Sequence, residues 1–213
     1  MKPRLLDLFC GAGGAAMGYH RAGFEVIGVD IKPQPRYPFE FIQADALDYV
    51  WDRRRRFDAI HASPPCQAYS SKTMDRKRHP DLVAATRQAL RGIGKPYVIE
   101  NVHGAPLVLP VRLCGSSFKL RVRRHRLFEC SWFPVAPDCN HQWQDGDRPF
   151  RLYDHGKWFQ SGIVHVFGTG GGKGKEHWPE AMGIDWMTYS ELTQAIPPAY
   201  TEFIGKQLIE VIK

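Results

Sequence analysis

Arg4-Leu-Leu-Asp-Leu-Phe9 is a short apolar run that breaks into a glycine turn, Cys10-Gly-Ala-Gly-Gly14. A periodic stretch follows to His20, and Gly23 stands where such a helix would stop. Glu25-Val-Ile-Gly-Val-Asp30 then reads as a second strand ending on an acid. Strand, glycine turn, helix, strand and acid make half of a nucleotide-binding α/β unit. Working outward, Glu40-Phe-Ile-Gln-Ala-Asp45 is a third strand ending on an acid, and Phe57-Asp-Ala-Ile-His-Ala-Ser63 a fourth, broken by Pro64-Pro65. Asp81 to Leu90 has helical periodicity, and Lys95-Pro-Tyr-Val-Ile-Glu-Asn-Val102 is a fifth strand. This alternation predicts an α/β fold with a doubly wound, parallel, Rossmann-like sheet, whose ligands sit beyond the carboxyl ends of its strands.

The character changes near residue 129. Residues 130–180 hold Trp132, Trp143, Trp158 and Trp178, a glycine-rich run and no long helical period, so 129–180 reads as a small irregular or β-rich insertion. Regular structure is expected again from Met187, with Thr201 to Ile212 as a closing helix. The division is therefore 1–128 plus 181–213 as the main domain and 129–180 as the insertion. The tryptophans of the insertion either contact bases or form its own small core.

The 213 residues suit one compact domain with a satellite. No apolar run approaches the roughly 18 residues of a membrane span, and the apolar stretch behind Lys2 and Arg4 stops at Asp7, unlike a signal peptide. Five cysteines at irregular spacing argue for a reducing compartment, which points to the cytoplasm. A formal charge of +7 favours polyanionic partners. The expectation is no membrane partner and a monomer.

The glycine loop by itself is a weak signal, because Gly-x-Gly-Gly lacks the third glycine of a dinucleotide fingerprint. Gly168-Thr-Gly-Gly-Gly-Lys-Gly-Lys175 fails the phosphate-loop register and reads as a surface loop. Three further pieces are more specific. Ser63-Pro-Pro-Cys-Gln67 puts a cysteine at the carboxyl end of one strand, and Glu100-Asn-Val102 ends the next, so the carboxylate can enter the same crevice. Arg124-His-Arg126 lies in a basic stretch with Lys119, Arg121 and Arg123.

In this order, these pieces resemble the DNA (cytosine-5) methyltransferase family. Asp7-Leu-Phe-Cys-Gly-Ala-Gly-Gly14 is similar to that family's first motif, which holds S-adenosyl-L-methionine, and Val29-Asp30 and Asp45 to its second and third. Pro64-Pro-Cys-Gln67 is similar to the nucleophile motif, Glu100-Asn-Val102 to the glutamate motif, Arg124-x-Arg126 to the Arg-x-Arg motif, and Ala195-Ile-Pro-Pro198 with Ile204-Gly205 to the last. The resemblance covers roughly residues 4–128 and 181–213. It implies methyl transfer from S-adenosyl-L-methionine to carbon 5 of a cytosine in duplex DNA. Cys66 would add to carbon 6 of a flipped base, with Glu100, Arg124 and Arg126 as its catalytic companions. It also implies that Phe9 stacks on the cofactor's adenine, that Asp30 binds its ribose and Asp45 its amine, and that Gly11 and Gly13 approach its methionine end, with Ile31 and Pro64 as further contacts.

Other readings stand beside these. Asp45 alone reads equally as a helix cap, and the arginines from Arg53 to Arg56 read as a solvated face. Cys130, Cys139 and His141 miss the close-paired zinc spacings, with only His155 and His165 as further candidates, so no metal ligand is assigned. Cys10, Cys114 and Cys130 read as structural thiols.

The sequence also departs from the family's pattern. Val122 stands where the family often has glutamine, and Gln194 where its last motif has asparagine. The region between those motifs, the family's target reader, is short, which predicts a short or relaxed recognition site. In compactness the chain is similar to the small methylases of bacteriophages, which suggests a bacterial or virus-encoded enzyme and a link to restriction-modification. Two alternatives remain. One is the related tRNA cytosine-5 methyltransferase, whose usual Cys-Phe-Thr this chain lacks; the other is a catalytically silent DNA-binding or regulatory protein.

Overall fold

The computed structural model describes residues 2–53, 56–70, 73–154, 157–167 and 174–213, without the side chains of 153, 154, 158 and 159. The glycine-rich run at 168–173, His155 and part of the arginine run, residues 54–55, lie outside the described residues, so their readings are not addressed.

In chain order the main half contains β1 (Arg4–Leu8), α1 (Gly14–Ala22), β2 (Glu25–Asp30), β3 (Glu40–Gln43), α2 (Ala46–Arg53), β4 (Ala59–Ala62), α3 (Val83–Ile93) and β5 (Tyr97–Asn101). There follow β6 (Val111–Leu113), β7 (Arg126–Cys130), α4 (His141–Gly146), the hairpin β8 (Phe150–Asp154) and β9 (Lys157–Ser161), α5 (Trp178–Met182), α6 (Tyr189–Gln194) and α7 (Pro198–Ile212). Among the described residues, seven strands join one sheet in the order β3-β2-β1-β4-β5-β7-β6. The first five are parallel, while β7 runs antiparallel to β5 and β6 antiparallel to β7. The five strands read from the sequence are thus parallel, as the alternation predicts, and β6 and β7 add an antiparallel edge. The sheet also runs to Cys130, so Glu129 and Cys130 belong to it and not to the insertion.

Helices cover both faces, which is why the central strands read as continuous apolar runs rather than alternating ones. Side chains alternate across the sheet. Leu5, Val26, Ala59 and Val98 pack under α1 and α7 with Tyr19, Tyr200, Ile204 and Leu208. Leu6, Leu8, Ile27, Val29, Ile60 and Ile99 pack on the other face with Val50 of α2 and Leu90 of α3.

The α1 face carries a break in this pattern. Asp7, His61 and Glu100 are buried there at successive strands, among otherwise apolar neighbours. Gly28 makes room beside Asp7: a Cβ at Gly28 would lie 2.3 Å from the Tyr37 ring, whose hydroxyl donates to Asp7 Oδ2 at 3.4 Å.

The strand order reverses between β1 and β4, and a crevice opens at their carboxyl ends. A third apolar cluster joins Phe150, Leu152, Val164, Val166 and Trp178 of the insertion to Val122, Met182, Leu192 and Ala195. The insertion is therefore packed onto the segments before β7 and around α6. Among the described residues no helix is long and apolar enough to cross a membrane.

Candidate active site

Two clefts meet at the carboxyl end of the sheet. The first, about 400 Å³, is lined by Asp7, Phe9 and Gly11 of the first turn, Asp30 and Ile31 after β2, Pro64 and Cys66 after β4, and Glu100 and Arg126. The second, about 370 Å³, is lined by Cys66, Arg124, His125, Arg126, His165 and Gln194. Cys66, Arg126 and Gln194 border both. Both volumes lie in the range of small-ligand sites.

The first turn is shaped by its backbone. Phe9 has φ 56°, a left-handed conformation that is costly for a bulky residue, of order 1–3 kcal/mol, and that occurs where surrounding structure enforces it. It carries Phe9 to the cleft wall. Asp30 holds the turn from the other side: Oδ2 accepts from Gly11 N at 3.0 Å and Oδ1 from Lys32 N at 3.0 Å. The α6 side closes the wall with Met187, Ser190, Gln194 and Ile196, and Trp186 Nε1 donates to Ala12 O at 2.9 Å. Of these, Gln194 and Ile196 belong to the last motif, while Trp186, Met187 and Ser190 carry no motif and reach the turn only through the fold.

Two residues expected to touch the cofactor are not among those lining the first cleft. Asp45 does not line the cleft; its Oδ1 accepts from Leu47 N at 2.9 Å and Asp48 N at 3.2 Å, so it caps α2. Gly13 is flanked by the lining residues Ala12 and Gly14, and a Cβ there would lie 2.6 Å from Pro38 Cδ, so its glycine allows packing against Pro38 and Tyr37.

Asp7 was read only as part of a motif, yet it is a fully buried carboxyl at the floor of the cleft. Burial pushes its pKa well above the ordinary value, against the hydrogen bond from Tyr37. Its Oδ1 has no hydrogen-bond partner among the described residues.

At the nucleophile motif, the chain breaks at Pro64-Pro65 and turns back through Ser70 N, which donates to Cys66 O at 2.9 Å. Asn101 ties the two motifs together: its Nδ2 donates to Pro64 O at 2.9 Å, and its Oδ1 accepts from Val102 N at 2.9 Å. Burial pushes the Cys66 thiol up, the Glu100 carboxylate adds to this, and Arg126 opposes it.

Glu100 is fully buried, which raises its pKa, while Arg126, Arg124 and the Ser63 hydroxyl lower it. Arg126 Nε lies 3.0 Å from Glu100 Oε1 as an ion pair, but not aligned as a hydrogen bond, so Oε1 still lacks a donor. Behind it runs a buried polar chain that sequence reasoning missed: Tyr19 Oη is 2.9 Å from His61 Nδ1, and His61 Nε2 is 2.7 Å from Ser63 Oγ. Burial lowers the His61 pKa to about 3, so the ring is neutral.

Arg124 lines the second cleft together with Cys66. Its guanidinium donates to three carbonyls, Ala195 O at 2.9 Å, Val166 O at 2.9 Å and Thr193 O at 2.6 Å. It therefore ties the insertion and the end of α6 to the strand that carries Arg126. The neighbouring basic cluster is partly neutralised as well, since Arg121 pairs with Asp147 and Arg123 with Asp145. Val122 is buried and apolar in the third cluster. Of the insertion's tryptophans, Trp178 is core, and Trp143 donates to Ser116 O at 2.9 Å under the Arg121 guanidinium.

Cys130 stands on β7 and Cys10 in the first turn. Cys114, however, meets His125, Cys139 and His141, with all four ligand atoms within 4.8 Å of one another. His165 is not among them; it lines the second cleft.

Comparison with known proteins follows this geometry. Residues 3–106 match the family described as C-5 cytosine-specific DNA methylase. The type II methyltransferase M.XorII of Xanthomonas oryzae pv. oryzae is 30% identical over 122 residues, covering 48% of this chain and 29% of the relative. The matched stretch thus spans less than a third of that relative's length. Among solved structures, the S. pombe Dnmt2 methyltransferase superposes with a TM-score of 0.65 at 13% identity, covering 100% of each chain. The Entamoeba histolytica methyltransferase EhMeth superposes with a TM-score of 0.66 at 12% identity, covering 100% of this chain and 99% of the other. At such identities, the likeness to both structures is one of fold.

Proposed function

Through residues 3–106 the chain belongs to the C-5 cytosine-specific DNA methylase family, and from that premise we propose that it transfers a methyl group from S-adenosyl-L-methionine to carbon 5 of cytosine in DNA. The observation that carries this reading is the pair of clefts sharing Cys66 and Arg126, one walled by the glycine turn and the other by the Arg-His-Arg segment. A group donor and an acceptor base can then meet across a single thiol.

The first cleft fits the cofactor's chemistry. A fully buried Asp7 oxygen without a partner suits a cationic ligand, and the Asp30 carboxylate and the Phe9 ring suit a ribose and an adenine. Asp7, Phe9, Gly11, Asp30, Ile31 and Pro64 would hold it. When bound, S-adenosyl-L-methionine supplies an electrophilic methyl group.

The protein's own part lies on the base. The Cys66 thiolate adds to carbon 6, forming a carbon–sulfur bond and moving the ring's electron pair to carbon 5, which becomes nucleophilic. Glu100 meets the ring nitrogen and exocyclic amine with its unpartnered Oε1, and its raised pKa suits it to hold a proton there. Arg126 keeps Glu100 oriented, and Arg124 is a positioning residue acting through the backbone it holds. Once carbon 5 is substituted, loss of its proton to a base returns the electron pair, and the thiolate departs. A stacked base cannot reach Cys66, so the target is flipped out of the duplex. The insertion that follows β7, residues 131–180, is the short target reader. The protein acts as a monomer in the cytoplasm.

The test is incubation with S-adenosyl-L-methionine and either duplex DNA or tRNA, followed by digestion to nucleosides and mass spectrometry. The expected product is 5-methylcytosine from DNA. Product confined to tRNA would transfer the reading to RNA, and cofactor binding without any product would leave a binding protein. Glu100→Gln is expected to lower the DNA rate about 100-fold, the usual cost of losing one aligned stabilising group. It should keep the thermal shift that the cofactor induces. An undiminished rate would remove Glu100 from the mechanism.

A further inference from the structure

We infer that Cys114, His125, Cys139 and His141 form a closed structural zinc site that clamps the Arg-His-Arg segment to the insertion. Four ligand atoms from three separate places in the chain converge within 4.8 Å. Cys114 follows β6, His125 precedes β7, Cys139 lies in the loop before α4, and His141 opens α4. Each thiol already faces an imidazole: Cys114 Sγ lies 3.3 Å from His141 Nε2, and Cys139 Sγ lies 3.4 Å from His125 Nε2. Tetrahedral zinc with Zn–S near 2.3 Å and Zn–N near 2.0–2.1 Å requires ligand–ligand edges of about 3.3–3.8 Å. The two observed sulfur–nitrogen distances meet that requirement, and the longest edge needs about 1 Å of contraction to do so.

The donor set names the metal. Two thiolates and two imidazoles in tetrahedral array select zinc over calcium, magnesium or manganese, which take oxygen ligands. With four protein ligands no coordination position is left for water or substrate, so the site is structural. Its outer contacts are in place, since Ser116 Oγ donates to Cys114 Sγ at 3.1 Å and Asn140 N donates to the same Ser116 Oγ at 3.0 Å.

The placement gives the metal a purpose. His125 stands between Arg124, which holds the backbone at Val166, Thr193 and Ala195, and Arg126, which pairs with Glu100. The short α4 has no side-chain cap at its start. A metal on His141 and Cys139 anchors that start to the segment leading into β7. Through His125, which lines the second cleft, it fixes that cleft's wall.

The experiment uses the full chain, free of any polyhistidine tag, isolated without chelator and analysed by inductively coupled plasma mass spectrometry. About one zinc per chain is expected, retained in Cys130→Ser and lost at least tenfold in the Cys139→Ser/His141→Asn double variant. Should that variant fail to fold, replacement of zinc by cobalt(II) in the wild type decides. Visible bands of tetrahedral cobalt with thiolate charge transfer uphold the site. Wild-type protein without metal, both as isolated and after equilibration with zinc salt, would show thiol–imidazole hydrogen bonds only and overturn it. Undiminished zinc in a folded double variant would do the same.

Discussion

Serine in place of Cys66 stops the formation of 5-methylcytosine, with a loss of at least about 1000-fold, or about 4 kcal/mol of transition-state stabilisation. A hydroxyl is a far weaker nucleophile towards carbon 6 than a thiolate, and without that addition carbon 5 stays unreactive. The substitution removes little volume at a half-buried position, so the fold and the cofactor-induced rise in melting temperature are expected to persist. The wild-type pH profile gives a second reading of the same group. Burial and the Glu100 carboxylate hold the Cys66 thiol above its ordinary value, against Arg126, so the resting side chain is protonated at neutral pH. The reactive fraction therefore grows with pH, and kcat/KM is expected to rise steadily through the neutral range into mild alkali. A flat profile from about pH 6 to 9, or a serine variant keeping a tenth of the wild-type rate, would sink the thiolate step.

The parts of the site legible in the sequence are those governed by neighbours along the chain. Asp30 and Gly11 meet because α1 returns the chain into β2 parallel to β1, so that the end of β2 lies beside the turn that follows β1, and the 3.0 Å bond between them expresses that. Cys66 and Glu100 share a crevice because β4 and β5 are adjacent and parallel, so that their carboxyl ends coincide. What escaped reading depends on residues distant in sequence. Val111-Arg-Leu113 and Arg126-Leu-Phe-Glu-Cys130 are short and charged, and they become strands only by pairing with each other and with β5. Asp45 sits where a strand ends and a helix begins, so a ligand contact and a cap predict the same residue, and the bonds from Leu47 N and Asp48 N to its Oδ1 show the cap. Arg124 looked like its neighbour Arg126 until the fold brought it carbonyls from residues 166, 193 and 195. Of the Cys114, His125, Cys139 and His141 cluster only Cys139-x-His141 is local, and tertiary structure brings Cys114 and His125 to it.

The largest stability loss is expected away from both clefts, at Arg87→Met. Arg87 on α3 grips Glu129 on β7 through both carboxylate oxygens, Nε at 2.8 and 3.0 Å and one terminal nitrogen at 2.7 Å. The same guanidinium donates to Pro106 O at 2.6 Å, and Val108 N donates to Glu129 at 2.8 Å. The pair's side chains are only 14% and 3% exposed. Replacing a buried pair by apolar residues is often nearly neutral, but removing one partner strands the other charge and costs about 3 kcal/mol or more. In a chain of this size that is about 6–12 °C of melting temperature. Methionine keeps the stem's packing, so the loss reports on the carboxylate.

The sign of its pH dependence follows from Glu129. Burial raises the Glu129 pKa, but the bonds from Arg87 and Val108 N outweigh burial and hold it below its ordinary value. In the wild type this stabilisation is present above the unfolded carboxylate's pKa and is lost as pH falls through the folded one. In Arg87→Met burial dominates, the folded pKa lies above the unfolded one, and the destabilisation shrinks as the group takes up a proton. The stability gap between the two proteins is therefore widest near neutral pH and narrows on acidification. Urea titrations at about pH 7.5 and 5 measure both arms. A gap that is small at neutral pH, or that widens in acid, would mean that Arg87 does not neutralise Glu129. Because β7 begins at Arg126 and pairs with β5, which carries Glu100, the same variant should also loosen the Arg126–Glu100 contact that the reaction uses.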